Sequence, residues 1–368
     1  FFELPYSSVD EHIARLHDRS YDATASGTLL SDLYTVLWQP LESKVNTNRG
    51  IIIPDGELFN LSFETLVREP VTSFAELTKK SLLARYAISY NYSLTLLGPA
   101  TMKNYKHNFI AFAPGFDEGL KQKYKQAVRD SLFLDHSYLN LLPQPFTVDL
   151  IQKLSQSFRG RAFTGELSTE KQFTTSAAGH RIIHIGTHAE ANNLRPELSG
   201  LFFAKDMNHE HPENDNTLYA YEIYNHNLSS NLTILAACGT GKPHHQPGEG
   251  MISLAHAFNY AGSKSLLTAL WNIDEKASSE IVDLFYQHLA DGIPKDIALQ
   301  QAKLTYLSTA NGRTAAPVYW AGLVMLGDAS TISIERVIPF WVWLMSGMIL
   351  LSVASYFWIK RQSFRLTT

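Results

Sequence analysis

Three uninterrupted apolar segments constrain the fold of this chain more than any other feature. They lie at 181–185, 232–237 and 265–270. Their hydrophobicity is continuous rather than alternating, which is typical of strands buried on both faces of a sheet. Two amphipathic helices, at 251–260 and 278–289, follow the second and the third segment. This order predicts an α/β fold in which crossover helices connect the strands of a mostly parallel sheet.

The first half of the chain repeats this order of elements. Apolar runs at 51–53 and 109–113 each end at a turn that contains proline and glycine. Residues 192–230 show no clear period, and we predict a long loop-bearing insert there. The predicted organisation has five parts: a helical lead-in (1–45), a first α/β half (46–160), a second α/β half (161–330), a transmembrane helix (337–359) and a basic tail (360–368).

The composition excludes several classes of protein. Hydrophobic residues make up 45% of the chain and charged residues 18%, so a large core can form and wholesale disorder is excluded. The net charge is -4 and no block of basic residues occurs, so no direct nucleic-acid contact is expected. Cys238 is the single cysteine, which excludes an internal disulfide and a multi-cysteine zinc site. Its thiol is therefore either a packing group or a nucleophile.

Residues 337–359 contain no charged side chain and predict one membrane-spanning helix. At about 1.5 Å per residue, a helix of roughly 23 residues spans about 35 Å, enough for a bilayer core. The alternative is a buried core helix. Lys360, Arg361 and Arg365 follow the segment, so the positive-inside rule predicts a cytoplasmic tail. The side on which the large domain lies stays open.

Two residues that could perform chemistry follow two of the buried segments. His188 comes shortly after the segment at 181–185, and Cys238 directly follows the one at 232–237. Ligands and catalytic groups gather at the carboxyl ends of parallel strands. A thiol is only slightly ionised at neutral pH, and a neighbouring imidazole can accept its proton during attack on a carbonyl. The alternative is that Cys238 and His188 are both core residues, which spacing alone does not exclude.

Attack on a carbonyl also requires donors for the oxyanion. Gly239 and Gly241 give the backbone at Cys238 the freedom to present its own N–H group, and the N–H group of Ala189 could supply a second donor. This chemistry needs neither a metal nor an organic cofactor.

The run LTILAACGTG and the segments GEGMISLAHAFNYAGSKSLLTALWNIDEKASSEIVDLFYQHLADGIPKDIALQQAKLTYL and PVYWAGLVMLGD resemble the CHAT domain. The upstream segments IIIPDGELFNLSFETLV and RYAISYNYSLTLL are similar to the first half of that family. The resemblance covers roughly residues 30–328. CHAT domains are caspase-like and separase-like cysteine peptidases, often joined to tetratricopeptide (TPR) repeats, with an inactive first half and a catalytic second half.

The resemblance implies that Cys238 is the nucleophile and His188 the general base and acid. The family usually has glycine after the histidine, whereas this chain has Ala189. If that position requires a positive φ, alanine would cost about 1 kcal/mol and shift the oxyanion donor.

Three acidic residues are candidates for a substrate pocket. Asp274 and Glu275 follow a predicted strand, and the resemblance to separase-like proteins implies that they could pair with a basic P1 side chain. The alternative is that Asp274 caps the following helix and Glu275 faces its dipole. Glu249 similarly is either a helix cap or a pocket residue.

Two further motifs carry little weight. The histidines do not match a known metal-ligand spacing, and no metal site is expected; they are His209, His211, His244 and His245. The segment 239–242 ends like a P-loop, but Ala236 replaces its first glycine and Pro243 its Ser or Thr, so a nucleotide site is not supported.

Two functions follow from these residues. The first is a membrane-anchored caspase-like endopeptidase that cleaves a protein substrate through a Cys-His dyad. The second is a catalytically silent CHAT-like signalling scaffold at the membrane, motivated by Ala189 and the predicted anchor. The resemblance to the family also implies a sensor or TPR region in the full-length protein.

Overall fold

The computed structural model describes most of the chain between residues 22 and 334. The described residues are 15, 22–94, 105–128, 130–192, 194–207, 216–236, 238–239, 250–334, 345, 347–348 and 352–356. Within them the α-helices are α1 Ala23–Leu37, α2 Gln39–Glu42, α3 Leu77–Lys80, α4 Glu118–Ala127, α5 His136–Leu139, α6 Pro145–Ser157, α7 Glu170–Ser176, α8 Ala220–Ile223, α9 Gly250–Tyr260, α10 Glu275–Ala290, α11 Lys295–Thr309 and α12 Pro317–Trp320.

The strands of the described residues form a large sheet and a small one. They are β1 Arg49–Ile52, β2 Ala87–Tyr90, β3 His107–Ala113, β4 Arg161–Thr164, β5 His180–Ile185, β6 His188–Glu190, β7 Gly200–Phe202, β8 Thr217–Tyr219, β9 Leu232–Leu235, β10 Cys238–Gly239, β11 Ser265–Ala269 and β12 Leu323–Gly327. Short 3-10 turns occur at Gly56–Asn60, Phe63–Thr65, Phe74–Glu76, Leu82–Ala84, Ser131–Phe133, Gly165–Leu167, Pro196–Leu198 and Gly312–Ala315.

The large sheet has eight strands in the order β1-β2-β12-β11-β9-β5-β3-β4. All neighbours pair in parallel except β11 and β12, which are antiparallel. The predicted mostly parallel sheet is therefore present. It consists of a block of three strands and a block of five that run in opposite directions.

The prediction of two α/β layers in series is wrong, because strands from both predicted halves share this one sheet. β1 and β2 pair with each other and, through β2, with β12 at one edge. β3 lies between β4 and β5 near the other edge. The physical reason is that one sheet leaves two strand edges unpaired, whereas two smaller sheets would leave four, so a single sheet pairs more backbone N–H and C=O groups.

Helices cover the sheet and complete the core. α6 contacts β3, β4 and α10, while α11 packs on β2, β12 and α10. α10 buries one face, on which Ala277, Ile281, Phe285 and Leu289 recur at helical spacing. The predicted helix at 278–289 thus begins slightly earlier, at Glu275, and the core is continuous across the large sheet.

A buried ion pair connects the amino-terminal part of the chain to α11. Lys303 donates a hydrogen bond to the Glu64 carboxylate, and the two residues are 0% and 2% exposed. The Lys303 ammonium group also lies 5.9 Å from the centre of the Trp320 ring. Removing one partner would leave the other charge buried without its counter-ion, which costs about 3–5 kcal/mol in comparable pairs.

The small sheet has the order β10-β6-β7-β8. β10 pairs with β6 in parallel, and the pairs β6-β7 and β7-β8 are antiparallel. β7, β8 and α8 lie within residues 192–230, which were predicted as a loop-bearing insert. That segment therefore supplies two strands of the sheet that contains β6 and β10.

The structure contradicts the predicted transmembrane helix over 337–359. Within the part of the chain that the structure describes, no helix has both the length and the apolarity that a bilayer crossing requires. A crossing needs about 20 consecutive apolar residues in one helix. Most of the predicted span and the tail at 360–368 lie outside the described residues. The spanning helix is thus removed from the fold class, and the single-pass membrane location is removed with it.

Candidate active site

His188 and Cys238 occupy paired positions on adjacent parallel strands. β6 begins at His188, shortly after β5 ends at Ile185, and β10 begins at Cys238, shortly after β9 ends at Leu235. Cys238 pairs with His188, just as Leu235 pairs with Ile185 in the large sheet. Both pairs are separated by 50 positions in the sequence, so the register of the large sheet continues into the small one. Neighbouring strands lie about 5 Å apart, which places the two backbones side by side.

Gly186 lets a helix approach the chain directly before His188. A Cβ atom at Gly186 would lie 2.1 Å from Thr147 Cγ2 and 3.1 Å from Ile151 Cδ1. Both neighbours belong to α6, so only glycine leaves room for the first turns of this helix. The buried Thr187 hydroxyl donates a hydrogen bond to the Phe202 carbonyl. The segment between β5 and β6 is therefore fixed on one side by α6 and on the other by β7.

The His188 ring is buried and has a defined partner. The side chain is 5% exposed, and its Nε2 atom lies 2.7 Å from the Leu142 carbonyl oxygen. Because a carbonyl oxygen can only accept, Nε2 must carry the hydrogen in this arrangement. In the neutral ring Nδ1 then carries the lone pair. Nδ1 is therefore the atom at which a neutral His188 can accept a proton.

A loop after β3 supplies the other surface against His188. The Phe116 ring lies 5.4 Å from the His188 ring, centre to centre, and is fully buried. Phe116 has a φ of 47°, a left-handed conformation that is uncommon for a bulky residue. Such strained residues cluster at functional sites, where the surrounding structure holds them.

A second small core holds this loop in place. Phe116 packs with Leu120, Tyr124, Val128, Tyr138, Leu141 and Ala204. At its border the Lys205 ammonium group, 3% exposed, lies 3.0 Å from an Asp135 carboxylate oxygen. The same ammonium group lies 5.7 Å from the ring centres of Tyr124 and Tyr138. This second core is thus built by the chain between β3 and α6 together with Ala204 and Lys205, which follow β7.

Ala189 does not have the backbone conformation that would make glycine necessary. Among the described residues, positive φ angles outside glycine occur at Phe116, Arg159 and Ser229. Ala189 is fully buried in β6, where it pairs with Gly239 on one side and Leu201 on the other. The replacement of glycine by alanine therefore introduces no left-handed strain. The role of the Ala189 N–H group as an oxyanion donor stays a prediction.

The two acidic residues predicted for a substrate pocket both lie at helix N-termini. Asp274 is the N-cap of α10 and accepts a hydrogen bond from the Ala277 N–H group at 3.0 Å. Glu275 accepts one from the Thr147 N–H group of α6, at 2.8 Å. Burial raises the pKa of the Glu275 carboxyl group, and the hydrogen bonds from Thr147 and Phe146 act in the opposite direction. A pocket role for Asp274 and Glu275 stays a prediction.

Several predicted positions lie outside the described residues. These are Glu249, the candidate pocket residue or cap, together with His209, His211, His244 and His245. The P-loop-like segment at 239–242 is described only at its first residue. In the parts of the chain that the structure describes, no group of three or more His, Cys, Asp or Glu side chains could hold a metal ion.

Leu142 and Phe116 are the site residues that the sequence did not indicate. Leu142 acts through its backbone carbonyl, so its side-chain type carries no signal. Phe116 follows a proline and a glycine at the end of β3, and this turn marks a strand end that faces the site. Only that general rule could have drawn attention to the loop.

A mostly parallel α/β sheet whose adjacent strand ends continue into a histidine and a cysteine is the arrangement of a caspase-like fold. The family model of the CHAT domain matches residues 27–328. The chain therefore belongs to the CHAT domain family.

Curated relatives of this chain include two tetratricopeptide repeat proteins. Tetratricopeptide repeat protein 28 of Mus musculus is 30% identical over 112 residues, which cover 30% of this chain and 4% of the relative. The Homo sapiens protein of the same name is 33% identical over 81 residues, which cover 22% of this chain and 3% of the relative. The chain thus spans only a few per cent of the length of these relatives.

Similar solved structures include two crystal structures of the Saccharomyces cerevisiae separase-securin complex. The first has a TM-score of 0.40 and 12% identity, and covers 69% of this chain and 14% of the other. The second has a TM-score of 0.39 and 10% identity, and covers 68% of this chain and 14% of the other.

Proposed function

We propose that this CHAT domain is a cysteine endopeptidase that works through a dyad of Cys238 and His188. The proposal is supported above all by the register that pairs Cys238 with His188 on adjacent strands. The two backbones are close enough for the side chains to meet with little rearrangement, since neighbouring strands are about 5 Å apart. Membership of the family is a second, independent support.

The proton transfer follows from the hydrogen bond to Leu142. With Nε2 protonated, Nδ1 of His188 accepts the thiol proton while the Cys238 sulfur forms a bond to the scissile carbonyl carbon. The imidazolium then returns that proton to the departing amine as the C–N bond breaks, leaving an acyl-enzyme. Water, deprotonated by His188, attacks the thioester and releases the acid and the free thiol.

The oxyanion formed in each step needs preorganised donors. The backbone N–H groups of Cys238 and Ala189 are the proposed donors, since both residues lie where β6 and β10 pair. Removing one such donor costs roughly 100- to 1,000-fold in kcat in other peptidases.

A catalytically silent scaffold is the second candidate function, but the structural reason for it is weak. That hypothesis was motivated by Ala189, which stands where the family usually has glycine, and by the predicted membrane anchor, which the structure contradicts. Ala189 lies in a strand and is not among the described residues with positive φ. The peptidase proposal is therefore the better supported of the two.

The proposed partners are a protein substrate and a TPR-containing region. The curated relatives are tetratricopeptide repeat proteins that share only a short segment with this chain. We propose that a TPR region of the full-length protein regulates access to the site, as a sensor.

Peptide cleavage tests this function. The chain is incubated with a proteome-derived peptide library, and the new termini are identified by mass spectrometry. We expect Cys238→Ala and His188→Ala each to lower cleavage by about three orders of magnitude. His107→Ala is the matched control, because His107 is exposed at the opposite, amino end of β3. Cleavage that persists in Cys238→Ala would contradict the proposed dyad. Absence of cleavage by the wild-type chain together with its TPR region would favour the scaffold.

A further inference from the structure

Helix α6 and the residues before it connect His188 to an acidic residue on a different helix. The inference drawn from this connection rests on the proposed function, because it concerns how the base of the dyad is held. We call residues 142–147 the base-supporting segment. It begins with Leu142, whose carbonyl oxygen lies 2.7 Å from His188 Nε2.

The middle of the base-supporting segment is anchored to the end of β3. The Gln144 N–H group donates a hydrogen bond of 2.8 Å to the carbonyl oxygen of Gly115. Gln144 is 2% exposed and is the N-cap of α6. Its own side chain makes no capping hydrogen bond. The first turn of α6 therefore depends on acceptors from elsewhere in the molecule.

Glu275 supplies that acceptor from another helix. Its carboxylate accepts a hydrogen bond of 2.8 Å from the Thr147 N–H group. A carboxylate at a helix N-terminus also interacts favourably with the helix dipole. Glu275 is the first residue of α10, so one carboxylate lies at the start of two helices. It fixes the position of α6 relative to α10.

The side chain of Thr147 packs against the chain between β5 and His188, so the position of α6 also determines where that chain lies. Thr147 packs so closely on Gly186 that a Cβ atom there would lie 2.1 Å from Thr147 Cγ2. Gly186 precedes His188 by two residues. The base-supporting segment thus contacts His188 directly through the Leu142 carbonyl, and contacts the chain two residues before it through Thr147.

We infer that Glu275 is a positioning residue for His188. By holding the N-terminus of α6, it keeps the Leu142 carbonyl against Nε2 and so maintains the tautomer in which Nδ1 accepts a proton. This differs from a substrate-pocket role. A pocket residue would change the preference for a basic P1 side chain, whereas a positioning residue changes the imidazole itself.

The tautomer of His188 can be measured without catalysis. The chain is labelled with ¹⁵N-histidine in a Cys238→Ala background, and the His188 ring nitrogens are assigned by comparison with His188→Gln. We expect Glu275→Ala to shift the ring-nitrogen signals of His188 away from those of the Nε2–H form. Glu275→Gln, which keeps an acceptor, should retain most of the Nε2–H population. Glu280→Ala is the matched control, because Glu280 lies on the same helix with an exposed side chain.

Activity gives the second measurement. With Cys238 present, we expect Glu275→Ala to lower kcat/KM about tenfold or more for neutral and basic P1 peptides alike. If Glu275→Ala does not fold, Glu275→Asp replaces it, because the shorter side chain reaches Thr147 less well. We then expect a smaller shift of the His188 nitrogen signals and a smaller loss of kcat/KM. Unchanged His188 nitrogen signals in a folded Glu275 variant would overturn the inference. So would a loss of activity confined to basic P1 peptides. The nitrogen signals do not depend on whether the peptidase proposal holds, and the Cys238→Ala cleavage test answers that question separately.

Discussion

His184 and His188 lie four positions apart, and both are buried but have different neighbours. His184 is the fifth of the six residues of β5 and is fully buried, with its Nδ1 atom 3.3 Å from the Tyr286 hydroxyl oxygen. Burial lowers the pKa of the His184 imidazole to about 3. His188 lies beyond the strand end, against a backbone carbonyl and an aromatic ring. The same residue type is therefore part of the strand's packing at one position and is the proposed base at the other.

The buried His184 predicts a loss of stability in mild acid. In the unfolded chain the pKa of His184 is about 6.5, so below that pH its imidazole is protonated in the unfolded state but stays neutral in the native state. The contribution of neutral His184 is complete above pH 6.5 and declines as the pH falls toward 3. Between pH 7 and pH 5 we expect it to lower the free energy of unfolding by about 2 kcal/mol.

Urea denaturation at the two pH values measures this effect. His184→Gln is expected to remove most of the difference, while His136→Gln, at an exposed histidine, should retain it. The explanation fails if His184→Gln loses as much stability between pH 7 and pH 5 as the wild-type chain.

Among the elements, α6 is the one that connects the sheet to the candidate site. Its first turns lie on Gly186 and its preceding residues contact His188. This close approach is possible only because Gly186 has no side chain.

Gly186→Ala is therefore expected to displace α6. The added methyl group would lie 2.1 Å from Thr147 Cγ2, and overpacking of this kind costs about 1–3 kcal/mol. Gly50→Ala in β1 is the matched control, because a Cβ atom there meets nothing within 4 Å. Thermal unfolding measures both variants. Equal stability of the Gly186 and Gly50 variants would contradict the proposed packing.

The elements that sequence could predict are the ones with strong apolar patterns. The runs at 181–185, 232–237 and 265–270 correspond to β5, β9 and β11 within a residue or two. The small sheet was missed because β6, β7, β8 and β10 have only two or three residues each, too few for a period. α11 was missed for another reason. Lys295 and Lys303 are buried in it, so its pattern of polar residues does not indicate which face is covered.

The candidate site could be predicted in part. The positions of His188 and Cys238 after two buried segments indicated that they would be neighbours, and their backbones are paired. The contacts of Leu142, Gln144 and Glu275 could not be predicted. Two of these residues act through backbone groups, and Glu275 caps a helix that begins 130 residues earlier, at Pro145.

At the scale of the whole molecule, strands that are close in sequence lie at opposite edges of the large sheet. β1 and β2 lie at one edge, while β3 lies near the other, and four strands from later in the chain separate them: β12, β11, β9 and β5. The buried pair of Glu64 and Lys303 joins the early and late parts a second time. Residues 46–160 therefore have no continuous sheet of their own.

We accordingly expect the fragment 46–160 not to fold independently. Expressed alone, it would expose one edge of β2 and both edges of β3, which are paired in the whole chain. Circular dichroism during heating measures this directly. The fragment should show no cooperative transition, whereas the full chain should unfold in one major step. A cooperative transition in the fragment would support two separate halves instead.

The proposed dyad requires the Cys238 thiol to lie close to the His188 imidazole, and alkylation kinetics test this proximity most directly. Because Cys238 is the only cysteine, the mass of the iodoacetamide product reports that one thiol. We predict that at pH 6.5 the wild-type chain and His107→Ala react at least about tenfold faster than His188→Ala, since an adjacent imidazole promotes the thiolate. Equal rates in all three, each rising only as an isolated thiol ionises near pH 8.5, would contradict the account.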